Sequence, residues 1–204
     1  FGQELGLQAA DLGLLAGAYF FGFAAMQLPL GAALDRYGPK RVLMVLLSLA
    51  VAGCAAFAVA RSLGSLIAAR MLIGVGVAAC LMAPLTCFRA CFTPTAQLRA
   101  NSWMLMTGSL GMVASTLPVQ WLLPLVGWRP MFLVLAALML LSMLLIAWRV
   151  PAWQTGEVSH ADKVGSAQGY RLVWRDPYFR RMAPLGFFCY GGLLAVQTLW
   201  AAPW

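Results

Sequence analysis

Six stretches of this chain, residues 12–34, 42–60, 66–88, 101–123, 130–148 and 182–201, are long and almost wholly apolar. A helix of about 20 apolar residues crosses the ~30 Å hydrocarbon core of a bilayer. It pairs its own backbone N–H and C=O groups, as lipid requires. The runs are too long for strands and lack a strand's alternation of apolar and polar positions. Composition points the same way. Hydrophobic residues make up 62 % and charged residues 10 % of the chain, against roughly 45–50 % and 25 % in soluble domains. So few charges cannot cover a water-facing surface, and the expected fold is an all-α integral membrane protein.

Charge supplies a test that did not enter the choice of spans. If six spans are crossed in turn, segments 35–41, 89–100 and 149–181 share one side of the membrane. The other side holds 1–11, 61–65 and 124–129. The first set carries eleven of the fourteen Lys and Arg residues, the second only Arg61 and Arg129, and Arg70 remains inside a span. An excess of Lys and Arg marks the cytoplasmic side, so 35–41, 89–100 and 149–181 are expected in the cytoplasm. The net charge of +8 and pI of 9.8 follow from this bias. A nucleic-acid partner would need a basic stripe on a soluble face, and none is present.

The five cysteines form no C-x-x-C pair and have no histidine nearby. They read as small apolar packing residues, with no disulfide framework, metal site or cofactor expected. The single histidine, His160, lies in the polar, glycine-rich stretch PAWQTGEVSHADKVGSAQG, which has the composition of a flexible linker. A membrane-embedded enzyme would need a catalytic set at membrane depth, and the sequence offers none.

The charge is densest in GAALDRYGPKRVL, residues 31–43. Gly31 permits close helix approach, Gly38 a tight reversal, and Pro39 can open the next helix. Lys40 and Arg41 hold the turn in the cytoplasm, but topology gives no reason for Asp35. A carboxylate there can accept hydrogen bonds from an arginine or a helix N-terminus, contacts that lock one helix arrangement and break in another. The stretch resembles the G-x-L-a-D-r-x-G-r-k-x-x-l loop of the major facilitator superfamily of secondary transporters. Gly31, Asp35, Arg36, Gly38, Lys40 and Leu43 are in register. Ala33 and Pro39 depart from the pattern, and Arg41 adds a basic residue. The resemblance implies that Gly31, Asp35, Arg36, Gly38, Lys40 and Arg41 form a cytoplasmic gating loop.

LIAARMLIGVGVAA, residues 66–79, resembles the same family's fourth helix, l-x-x-x-R-x-x-q-G-x-g-a-a, with Ile73 in place of the common glutamine. This implies a coupling or substrate role for Arg70, and Gly74 falls in the motif beside it. Arg70 is also the one charge inside a span, and intramembrane charges are costly and functional by default. A helix starting at Leu66 would place it only ~6 Å deep, within reach of the outer face by snorkelling. GWRPMF at 127–132 is similar to the turn before the family's sixth helix.

The resemblance covers the whole chain as helices two to seven of a twelve-helix transporter, so the chain reads as an interior piece of a longer protein. It implies an N-terminal bundle over 1–148 that lacks its first helix, a cytoplasmic central loop over 149–181, and the first helix of the C-terminal bundle over 182–204. The expected function is secondary transport of a small solute across the inner membrane by alternating access. A lone intramembrane cation would favour an organic anion. Coupling to a proton or cation, as symport or antiport, is implied by the family, yet no Asp or Glu lies within a span. Further candidates for contact with solute are Gln120, with Ser109 and Ser115, on the fourth run, and Tyr190 and Gln197, seven apart on the last. The alternatives are a drug/proton antiporter, disfavoured because TGSLGMVASTLPVQW lacks a Gly-Pro pair, and a non-transporting scaffold or sensor.

Overall fold

The computed structural model describes residues 6–150 and 174–195, and every regular element among them is a helix. Local chemistry sets most of the helix ends. α1 (Ala9–Tyr37) opens with Gln8 and Asp11 bonding reciprocally across the first turn and closes at Gly38. α2 (Pro39–Val59) starts on the proline that follows. Gly38 adopts φ +80°, a conformation that costs glycine little, so one residue suffices to connect the two helices. Ser62 caps α3 (Leu63–Val77), accepting from the Ser65 amide while the Ser65 hydroxyl accepts from the Ser62 amide. This is the reciprocal pattern of a capping box. α4 (Ala79–Cys91) continues α3 after a tight turn at Ala78, whose N–H donates to the Val75 carbonyl. α5 (Pro94–Val126) and α6 (Trp128–Arg149) are joined by Gly127 alone, at φ +81°.

Among the described residues five helical lengths can cross a membrane: α1, α2, the α3–α4 pair, α5 and α6. The helices are longer than the apolar runs. Asp35–Tyr37 and Pro39–Arg41, expected in a loop, are helical, and only Phe92 and Thr93 separate α4 from α5. α5, with 33 residues, is ~50 Å long and extends well beyond a ~30 Å core. Charged residues such as Arg99 therefore ride on helical extensions.

α1 to α6 belong to one compact unit. α2 is its centre, packed on α3 and α6, and α3 lies between α1 and α2. One core cluster gathers Leu15, Cys54, Phe57, Leu66, Ala69, Ile73 and Trp128, toward the Gly127 connection. A second, around Leu30, Leu34, Leu43, Leu46, Leu47 and Ala83, lies toward the Gly38 turn. Glycines make the crossings possible. A Cβ on Gly74 would meet the Tyr19 carbonyl of α1, and one on Gly76 would meet the backbone of Ala50 in α2. Gly22 faces the Met71 carbonyl, and a Cβ on Gly53 would lie 2.8 Å from Ile73 Cγ1. The close approach expected at Gly31 is not seen among the described residues: there, as at Gly13, Gly17, Gly108 and Gly111, an added Cβ meets open space.

The second unit contains α7 (Pro177–Ala195). Asp176 caps its start by accepting from the Tyr178 amide at 2.7 Å. The rest of the sixth run and most of the 149–181 segment lie outside the described residues.

Candidate functional site

The charged turn at Gly38 is held by main-chain geometry. The Gly38 N–H donates to the Leu34 carbonyl at 3.0 Å, closing α1, and the Gly38 carbonyl accepts from the Val42 amide, opening α2. Its side chains then part company. Lys40 turns toward the end of α6, where its ammonium donates to the Ala147 carbonyl at 3.0 Å and to the Val150 carbonyl. Helix C-terminal carbonyls lack intrahelical partners and carry partial negative charge, so a lysine there is doubly suited. Asp35, Arg36 and Arg41 are exposed, and no hydrogen bond or ion pair joins Asp35 to another described residue. The Arg36 guanidinium lies 5.3 Å from the Tyr37 ring centroid.

Replacing Lys40 by methionine is expected to destabilise the protein by about 1 kcal/mol, read as a lower thermal midpoint in detergent. Arg41→Met, at an exposed neighbouring position, should leave that midpoint unchanged.

The arrangement about Arg70 is built from three helices. α3 starts at Leu63, three residues earlier than the apolar run, which puts the Arg70 backbone ~10 Å from the helix start. The side chain leans toward the N-terminal end, as helical side chains do, and stops on a ring cluster. Its Cζ lies 4.8 Å from the Phe57 centroid and 5.4 Å from that of Phe132. The two rings are 4.2 Å apart, and Trp128 meets Phe57 edge-on. Phe57 is only 1 % exposed, so the charged head rests on the core rather than passing it into water. Stacking occupies the faces of a guanidinium and leaves its in-plane N–H groups for an acceptor. The buried Nε makes no hydrogen bond to a described residue. None of these aromatic partners was foreseen in the sequence. Phe132 lies four residues after Trp128, one turn apart on α6, a spacing that could have pointed to them.

Gly74, beside Arg70 in the motif, is buried, and packing against α1 is enough to require glycine there.

Over its first turns α5 has two contrasting faces, and from residue 105 to 116 it is exposed all round. Ala96, Gln97, Ala100, Asn101 and Met104 are partly covered. Roughly opposite, Ser102, Ser109, Thr116 and Gln120 are exposed in one line, since seven residues return a helix to within about 20° of the same direction. The three hydroxyls donate to carbonyls four residues back, at 3.0, 3.0 and 2.8 Å. Ser115 falls outside the line and bonds to the Met112 carbonyl at 2.8 Å. At the N-terminal end of the line, Leu98, Arg99, Ser102, Trp103 and Met106 form a shallow recess. Gln197 and the side chain of Tyr190 lie outside the described residues.

Known proteins resemble this sequence. The profile of the Major Facilitator Superfamily matches residues 1–203. A probable sulfoacetate transporter of Cupriavidus necator is 30 % identical over 97 % of this chain and 49 % of its own length. A 4-hydroxybenzoate transporter of Acinetobacter baylyi is 28 % identical over 73 % of the chain and 33 % of its own length. The chain thus spans about half the length of the first relative and a third of the second. With a match over nearly its whole length and helices long enough to cross the bilayer, the chain is an integral membrane protein and belongs to the major facilitator superfamily.

Proposed function

We propose that the chain forms part of a secondary transporter that moves a small organic anion across a bacterial inner membrane by alternating access. The observation that carries this reading is Arg70, a cation inside a membrane span that rests on Phe57 and whose buried Nε makes no hydrogen bond to a described residue. Both relatives are named for organic anions, a sulfonate and an aromatic carboxylate. The line Ser102, Ser109, Thr116 and Gln120 suits one wall of a hydrated path, because a row of polar groups directed away from the packed helices gains nothing from lipid. In this reading residues 31–41 are the cytoplasmic gate, and Asp35 finds its partner in one state of the transport cycle only. Residues 149–181 link two bundles, with 182–204 opening the second. Tyr190 and Gln197 on that span are separate candidates for contact with solute, and Gly74 lets α1 approach α3 beside Arg70. A coupling proton or cation enters through groups other than the two carboxylates of α1, since Asp11 and Asp35 sit in its first and last turns.

The test is uptake by the protein as encoded in its source, reconstituted in vesicles. Saturable uptake of a small sulfonate or aromatic carboxylate is expected, inhibited by other organic anions and unaffected by neutral amides of the same size. Transport of lipophilic cations alone would replace this reading by a drug antiporter. Absence of any flux across a broad solute panel would favour the scaffold or sensor.

A further inference from the structure

The last turn of α4 holds a pair of groups that transport does not use. Cys87 and Cys91 are separated by four residues, which places them one above the other on a single helix face. Their side chains have converged until Cys87 Sγ and Cys91 Sγ are 3.9 Å apart. Cys87 is partly exposed and Cys91 exposed, and they fall in the last two turns of the span Leu63–Cys91, the end at which an ion would enter from the aqueous face. Arg89 follows in the same turn, and the distribution of basic residues puts this end of α4 in the cytoplasm. Thiols stay reduced in that compartment. Phe88 and Phe92 stack beside the pair, with ring centroids 5.6 Å apart, and give the turn an apolar flank.

We propose that Cys87 and Cys91 together form a two-thiolate binding site for a soft, thiophilic divalent cation. Thiolates select such ions over Mg²⁺ or Ca²⁺, which take oxygen ligands. Tetrahedral bonds of ~2.3 Å, as zinc makes to sulfur, place two sulfurs ~3.8 Å apart. The separation in this structure already matches that edge, so binding demands little movement of either side chain. The step is a simple exchange. Two S–H bonds give up their protons, two metal–sulfur bonds form, and no electron changes hands. Water or a small thiol fills the remaining coordination positions, since no group of three or more metal-ligating side chains occurs among the described residues. Occupancy would brace the last turn of α4 immediately before the short Phe92–Thr93 connection to α5. The proposal does not depend on which solute is transported.

The experiment is alkylation of the purified, full-length protein in detergent, followed cysteine by cysteine by peptide mass spectrometry with and without Cd²⁺, a soft ion without redox chemistry. Cd²⁺ is expected to slow alkylation of both Cys87 and Cys91 at least tenfold, and Mg²⁺ to have no effect. In Cys87→Ser the protection of Cys91 should disappear at the same Cd²⁺ concentration. In Cys91→Ser that of Cys87 should disappear likewise. Unprotected thiols in the unsubstituted protein would overturn the proposal, as would a Cys91 that stays equally protected when Cys87 is serine. Should either serine variant fail to fold, the other variant and the unsubstituted protein decide the question.

Discussion

Uptake of the transported anion falls roughly tenfold to a hundredfold in an Arg70→Ala variant, if the charge at this position meets the solute. The size follows from the loss of a charge-assisted hydrogen bond, about 1.5–3 kcal/mol, at 1.4 kcal/mol per factor of ten. Three substitutions separate the role proposed for this side chain, anion handling, from the stacking on Phe57 and Phe132. Arg70→Met keeps much of the volume over Phe57 and Phe132 and removes the charge. Arg70→Lys keeps the charge and loses the planar fork and its stacking. Arg70→Ala removes both. If the charge handles the anion, methionine is as defective as alanine and lysine retains part of the activity, with folded protein recovered from every variant. If stacking is the whole role, methionine approaches the unsubstituted protein, and alanine and lysine lower thermal stability together with uptake. Unchanged uptake in Arg70→Ala removes the anion-binding role outright.

Valine at Gly74 or Gly76 is the second large effect, and it is one of assembly. At Gly74 the first added carbon would fall on the Tyr19 carbonyl, and at Gly76 on the backbone of Ala50. Neither obstacle is the flexible tip of a side chain, so α3 itself must move away from α1 or α2. Overfilling a packed core costs typically 1–3 kcal/mol and occasionally more, and here an entire helix contact is displaced. Each variant is expected to yield much less monodisperse protein on size exclusion, with a clearly lowered thermal midpoint. Gly108→Ala and Gly13→Ala serve as controls, because an added Cβ at those positions meets open space among the described residues. Both should behave like the unsubstituted protein. Equal loss at all four positions would mean that these crossings are not where α3 is held.

That contrast shows how far the sequence could be read. Apolar length placed the spans, because lipid imposes it on any chain that crosses it, and the charge asymmetry tested them independently. The Gly38–Pro39 turn was legible for a similarly local reason, as φ +80° followed by a proline at a helix start leaves few alternatives. The important glycines were not. Gly13, Gly17 and Gly31 look the same in sequence as Gly22, Gly53 and Gly76, and only the direction each presents to its neighbours tells them apart. The reach of Lys40 to Ala147 crosses 107 positions, beyond any local pattern. The family motif marked Arg70, but its resting place depends on Phe57 and Phe132 arriving from two other helices. Helix ends were read too short, since a polar residue in the first or last turn looks like loop to hydropathy and is still paired along the backbone.

Single-residue connections leave this bundle almost no slack. Gly38 is all that separates α1 from α2, and Gly127 all that separates α5 from α6. A push on the C-terminal end of α1 is passed at once to α2, and through the ammonium of Lys40 to the end of α6 and to Val150, the residue after it. Force on that corner travels through a taut joint, so the corner moves as one piece or not at all.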